Sequence, residues 1–314
     1  MRNLVIARLI QGVLVIIGST VIVFLVIRII PGDPVRLMGP LATEDNLRTL
    51  RHEWGLDLSL PQQFLKFVVD AAHGEFGTSM ILKQPVGVLI ASRFPLTLAI
   101  TFLAMLIALL VAVPLGSLSA LKRDTVWDRM AMTFAVGVQS MPNFWVALML
   151  LFLVAVTWQV LPGTGYQDAR SLILPSLALS VGLIPVIIRA VRTILIDVLG
   201  QDFIKAQRAR GIPTRRIVLR HAFKNMAIPL LTILGVQIGY LLGGALVIEW
   251  IFNFPGMGLL MLQAVLRRDY PLVQGLAVFI ATVFVLLNLV VDLSYGYLDP
   301  RIRKQELMRE GVNR

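Results

Sequence analysis

The sequence predicts an all-α integral membrane protein with six transmembrane helices. Composition, the spacing of apolar segments and the placement of lysine and arginine carry that prediction. Of 314 residues, 57% are hydrophobic and 15% charged, and the mean hydropathy of +0.81 exceeds what a soluble domain of this size sustains. A spanning helix needs about 20 mostly apolar residues, because the hydrocarbon core is about 30 Å thick and a helix rises about 1.5 Å per residue. Six segments meet that length: Leu9–Ile30, Pro95–Leu121, Met130–Val156, Leu172–Leu195, Met226–Ile251 and Leu272–Leu293. No water reaches the bilayer core to satisfy peptide groups, so each is expected to be helical.

The first apolar run exceeds the core of about 7 to 15 residues found in a cleavable signal, and it reads as a retained anchor. The loop that follows, Pro31 to Pro95, sets six basic residues against seven acids, and Glu44–Trp54 has the spacing of an amphipathic helix. That balance predicts a small packed cap. The third span contains Pro142, whose ring removes a backbone donor and weakens the helix beside Ser140 and Asn143. In the fifth span Gly235, Gly239 and Gly243 recur every four residues, which permits close backbone approach on one face. Gly256–Arg267 is too short to span, and its Met257, Leu259, Leu260, Met261, Leu262, Val265 and Leu266 suit a helix lying at the outer interface. The resulting organisation is an anchor helix with a long extracytoplasmic loop over 1–94, a five-helix core over 95–298 with a cytoplasmic loop at 197–225, and a tail over 299–314.

Orientation follows from charge. With a cytoplasmic amino terminus, the inner segments hold Arg2 and Arg8, then Lys122, Arg123 and Arg129, then nine basic residues between Arg189 and Lys224, then five after Leu298. Those 19 of the 29 basic residues face only seven acids, whereas the outer side is near neutral. The positive-inside rule therefore predicts that both termini are cytoplasmic. The formal charge of +11 is accordingly a topology signal, with membrane lipid and not nucleic acid as its partner.

The densest charge lies in Gly200 to Pro229, between the fourth and fifth spans. Asp197–Arg210 reads as a short helix that Gly211 ends by taking a left-handed conformation, and Pro213 suits the first turn of a second helix through Lys224. Polar residues within spans are costly unless they face protein or water, which makes Gln139, Ser140, Asn143, Gln237, Glu249, Asn288 and Asp292 candidates for a translocation path or for interhelical hydrogen bonds. Glu249, near the outer end of the fifth span, is placed to attract a substrate amine or a metal complex, or to pair with Arg267 or Arg268.

Several chemistries are absent. There are no cysteines, and His52, His73 and His221 are scattered, so no metal site is expected. No G-x-x-x-x-G-K-[ST] phosphate loop is present, so ATP hydrolysis is not expected in this chain. An intramembrane protease lacks its H-E-x-x-H motif, and an ion-driven secondary transporter, kept as a remote alternative, lacks the expected repeated halves.

The basic segment resembles the cytoplasmic coupling loop, or EAA loop, of ABC importer permeases. Lys205, Ala206 and Gln207 occupy the EAA positions and Gly211 the family glycine; Asp202, Phe203, Arg208, Ala209, Arg210, Arg220, His221, Ala222, Asn225, Ile228 and Pro229 match the form used by the peptide and nickel branch. Further landmarks of that branch run along the chain: Pro31-Gly32-Asp33-Pro34, Gly55-Leu56-Asp57, Phe76-Gly77, Arg93-Phe94-Pro95, Ser140 to Trp145, Phe254 to Gly258, Arg268-Asp269-Tyr270-Pro271 and Asp299 to Arg303. The chain is similar to the first of the two permease subunits of dipeptide, oligopeptide, glutathione or nickel importers.

The resemblance implies a type I ABC importer permease fold in the cytoplasmic (inner) membrane of a bacterium or archaeon. It implies a second homologous permease, two cytoplasmic ATPases that use ATP and magnesium, and an extracytoplasmic substrate-binding protein as partners, with no cofactor bound by this chain. Its coupling residues would be Asp202, Phe203, Lys205, Ala206, Arg208, Ala209, Arg210, Gly211 and Arg216. Peptides are the broadest expectation for the substrate, with nickel chelates and glutathione as alternatives.

Overall fold

The computed structural model describes residues 2–29, Val35 and 44–298, all helix, turn and loop apart from one isolated bridge between Thr78 and Pro85. The chain divides into two compact units. Thr97–Phe254, with the chain from Leu287, forms a core unit; Ile6–Leu96 and Pro255–Leu286 form an anchor unit.

The anchor unit contains most of α1 (Arg2–Ile29), then α2 (Glu44–Glu53), α3 (Leu60–Ala72), the first turns of α4 (Val86–Leu121), α11 (Met257–Leu266) and the first half of α12 (Tyr270–Leu298). The expected amphipathic helix is α2, with Glu44 and Asp45 in its first turn and Arg51 and His52 in its last, both favourable to the helix dipole. At the start of α3, Gln62 Oε1 accepts from the Ser59 N–H at 3.1 Å and from Ser59 Oγ at 2.9 Å. The unit's apolar cluster joins Ile27, Met80, Val86, Leu89, Met257, Leu260, Ala264 and Leu276. Thus α11 does not simply lie on a surface: Met257, Leu260 and Ala264 are buried, while Val265 and Leu266 are exposed. A Cβ on Gly275 would come within 2.6 Å of Val86 Cγ1, so this residue lets α12 meet α4 closely.

Asp269 ties the unit together. Its carboxylate is 1% exposed and accepts from Ser79 Oγ at 2.5 Å, Met80 N at 3.1 Å, Ile81 N at 3.2 Å and Leu272 N at 3.4 Å. It caps α12 and anchors a loop nearly 190 residues earlier through the same two oxygens.

The core unit is organised around α7 (Ile173–Leu199), which packs against α5 (Val126–Gln139), α6 (Asn143–Leu150) and α10 (Phe223–Ile251). Its face of Leu174, Ala178, Leu183, Ile187, Val191 and Leu195 is buried at the 3.6-residue period that the sequence shows. A Cβ on Gly116 would lie 2.7 Å from Ile188 O, which is how α4 reaches the α7 backbone. A Cβ on Gly235 would stand 2.8 Å from Val291 Cγ1 on α12, whereas one on Gly243 would meet nothing within 4 Å. The glycine stripe is therefore a packing contact at one position and open at another.

Among the described residues, five helices are long and apolar enough to cross a bilayer. The remaining span, the third, is broken. The expected single helix over Met130–Val156 is two, α5 and α6, bent by 88° at Ser140-Met141-Pro142, with π-helical Leu151–Thr157 continuing α6. Pro142 is the cause: its extended ψ of 134° starts α6 as an N-cap, and its missing N–H ends the ladder of α5. The Pro31 to Pro34 and Asp299 to Arg303 landmarks, and the Asp292 side chain, lie outside the described residues.

Candidate functional site

Two places in the core unit hold most of the residues singled out by the sequence. The first is the segment after α7. The expected helix Asp197–Arg210 is divided: Asp197 belongs to the last turn of α7, and a new helix, α8 (Asp202–Ala209), starts after Gln201 takes an extended ψ of 151°. Ile204 is fully buried and Phe203 half-buried, which holds one side of α8 to the unit. Asp202, Lys205, Ala206, Arg208, Ala209 and Arg210 are exposed. The Lys205–Asp202 pair at 2.8 Å is a surface contact with side chains 69% and 95% exposed, and such pairs contribute little.

Gly211 ends α8 with φ of +75°, the left-handed conformation expected of it. Its N–H donates to Arg208 O at 2.9 Å and that of Ile212 to Gln207 O at 3.2 Å, satisfying the last carbonyls. Pro213 is the N-cap of α9 (Thr214–Arg216) and not part of its first turn. The second helix does not stop at Lys224: α9 runs through π-helical Ile217–Ala222 straight into α10. Ile217, Val218, Ala222 and Met226 are buried below, and Arg215, Arg216 and Arg220 are exposed above. The segment is thus an apolar-rooted, guanidinium-rich surface.

The α4–α5 turn carries a polar lock that sequence reasoning counts only as charge. Asp128 accepts from Arg192 Nε at 2.8 Å and Nη2 at 2.7 Å, from the Asp124 N–H at 3.0 Å, and from Ser119 Oγ. This fork joins the end of α4, the start of α5 and the last turns of α7, which lead into α8. A carboxylate between two basic inner segments is the available signal, but nothing in the sequence names its partner.

The second place is the bend between α5 and α6. Gln139 and Ser140 are exposed. Gln139 Oε1 accepts from Arg189 Nη1, Ser140 Oγ donates back to Val136 O at 2.9 Å, and the Asn143 amide packs on Gly182, where a Cβ would stand 2.8 Å from Nδ2. Gln237 on α10 and Asn288 on α12 are half-buried. Glu249 departs from expectation: it is 0% exposed and accepts from Thr97 Oγ1 at 2.6 Å. Its carboxylate sits inside the core unit, where burial demands hydrogen-bond partners, and not on an open face.

In the anchor unit His52 Nδ1 lies 2.7 Å from Asp57 Oδ2, and this exposed hydrogen bond raises the His52 pKa and lowers that of Asp57. Among the described residues, no group of three or more His, Asp or Glu is placed to hold a metal ion.

Residues 112–304 match the family described as binding-protein-dependent transport system inner membrane component, and residues 1–101 match its N-terminal companion. The glutathione transport system permease proteins of Escherichia coli (strain K12) and Salmonella paratyphi A are each 38% identical over 304 residues, spanning 96% of this chain and 99% of theirs. Inward facing structures of the MetNI methionine ABC transporter share the fold at TM-scores of 0.55 and 0.58, with 19% identity over 67% of this chain and 96% of that one.

Proposed function

The chain belongs to the family of binding-protein-dependent transport system inner membrane components, multi-pass permeases of ABC importers with the type I fold, and from that premise we propose that it imports short peptides, glutathione first among them. The substrate reading rests on the 38% identity shared with glutathione permeases over 96% of the chain. In this reading a second homologous permease completes the path, two cytoplasmic ATPases drive it, and an extracytoplasmic binding protein delivers the peptide, with both termini of this chain in the cytoplasm.

The observation that supports coupling is α8. A helix whose buried Ile204 roots it in the unit, whose exposed face carries Lys205, Arg208 and Arg210, and which left-handed Gly211 terminates, suits insertion into an ATPase cleft. Because α8 follows α7 directly and α9 continues into α10, a displacement of α8 is delivered to the two longest helices packed in the core unit. ATP-driven closure of the ATPases would thereby switch the helices between inward- and outward-open arrangements.

The test is uptake of labelled glutathione by membrane vesicles containing the assembled transporter and its binding protein. ATP-dependent uptake, with competition by unlabelled glutathione stronger than by dipeptides, is expected. Uptake that persists without ATP, or accumulation of a nickel chelate but no peptide, refutes the reading.

A further inference from the structure

The bend between α5 and α6 holds a cation that the sequence assigns to topology alone. Arg189 stands 16 residues into α7, counting from Ile173, about 24 Å along the axis from the helix start. In an α-helix the Cα–Cβ bonds tilt toward the amino terminus, and Arg189 follows that direction, reaching Gln139 at the far end of α5. The 14 residues of α5 put that end about 21 Å along the axis from the polar α4–α5 turn. The guanidinium is therefore drawn away from the nearer, basic end of α7 and toward the break in the span, the opposite of snorkelling.

Among the described residues its acceptor is the neutral amide of Gln139, and no carboxylate pairs with it. Arg192, three residues on, shows the contrast: its carboxylate, Asp128, is supplied by the chain itself. A charge at such depth persists where it faces water or an ionic partner. The site is open, since Gln139 and Ser140 are exposed and Arg189 is half-exposed. Gly182, on which Asn143 packs, lies seven residues before Arg189 and so on the same face of α7.

We propose that Arg189, held in waiting by Gln139, is a carboxylate-binding subsite on the translocation path. A guanidinium presents a planar fork of donors that matches a carboxylate bidentately, and Gln139 Oε1 keeps that fork aimed into the bend until the ligand displaces it. The ligand class is a small peptide or peptide-like solute with a free carboxylate. This rests on the peptide-importer reading, and glutathione, with two carboxylates and one ammonium, fits it.

The test exploits the absence of cysteine from the chain. Ser140→Cys in the assembled transporter is labelled with an anionic methanethiosulfonate (ethylsulfonate) and a cationic one (ethyltrimethylammonium), and the adduct is read by mass on this chain. The anionic-to-cationic rate ratio is expected to fall about tenfold when Arg189→Gln is added and to be kept by Arg189→Lys. S-Methylglutathione, which keeps both carboxylates but has no thiol to consume the reagent, is expected to slow labelling and its diethyl ester not to. Gln139→Glu, which supplies an internal carboxylate, is expected to raise the KM for glutathione about tenfold with kcat little changed. No labelling of the Ser140→Cys variant, a ratio that Arg189→Gln leaves unchanged, or an unaltered KM in Gln139→Glu overturns the proposal and leaves a helix-to-helix contact. Failure of wild-type glutathione uptake would sink the substrate reading alone, because the labelling ratio needs no transport.

Discussion

Breaking the Asp128–Arg192 fork predicts a coupled loss that a double-mutant cycle can measure. The two side chains are 6% and 25% exposed, and Asp128 also accepts from Ser119 and from the Asp124 N–H. Removing one partner of a buried pair costs about 3 to 5 kcal/mol, because the other charge is left desolvated. In Asp128→Ala the orphaned Arg192 can reach water with its exposed quarter, which puts the cost near the lower figure. In Arg192→Ala the buried carboxylate keeps two of its donors, and the cost is again about 3 kcal/mol. A chain of this size shifts by about 2 °C per kcal/mol, so each single variant should unfold roughly 6 °C lower in detergent. Independent sites would give about 12 °C in the double variant; a shared contact gives about 8 °C, a coupling of about 2 kcal/mol. Thermal unfolding of wild type, both singles and the double measures it. Additive shifts would refute the claim that the fork is one interaction.

The remaining predictions concern the exposed segment and the staple of the anchor unit. Gly211→Val forces a β-branched residue to φ of +75°, at about 1 to 2 kcal/mol; the end of α8 should reorganise, and uptake per ATP hydrolysed should fall at least fivefold while hydrolysis continues. An unchanged ratio would refute α8 as the transmitter. Asp269→Ala leaves the donors of Ser79, Met80 and Ile81 without their buried acceptor, at about 1 to 3 kcal/mol each at most; limited proteolysis between Gly77 and Pro85 should accelerate at least tenfold, and unchanged protection would show that this loop is held by apolar contacts alone.

Much of the fold was legible because its causes are local or one-dimensional. Span length needs only the hydropathy of consecutive residues, and α2 needs only its charge order. The left-handed turn at Gly211 follows from the freedom of a residue without Cβ, and the interruption at Pro142 from a missing donor. The size of that interruption was not legible: a proline sets where a ladder ends, while the 88° between α5 and α6 comes from how both pack on α7. The start of α8 differs from the expected one for a related reason, since Asp197 and Asp202 look alike in sequence and only the extended Gln201 separates them. Glu249 shows the limit most clearly, because a carboxylate near a span end reads as accessible until Thr97, 152 residues away, is found to bury and bond it.

What the sequence determined by itself is therefore the membrane class, the apolar segments, the family and the basic segment, since solvation, segment length and charge placement act on neighbouring residues. What only the tertiary structure decided is which polar side chains meet. Asp128 with Arg192, Ser79 with Asp269 and Gln139 with Arg189 are 64, 190 and 50 residues apart. Their pairing is set by the packing of whole helices and loops, a free energy that belongs to no segment alone.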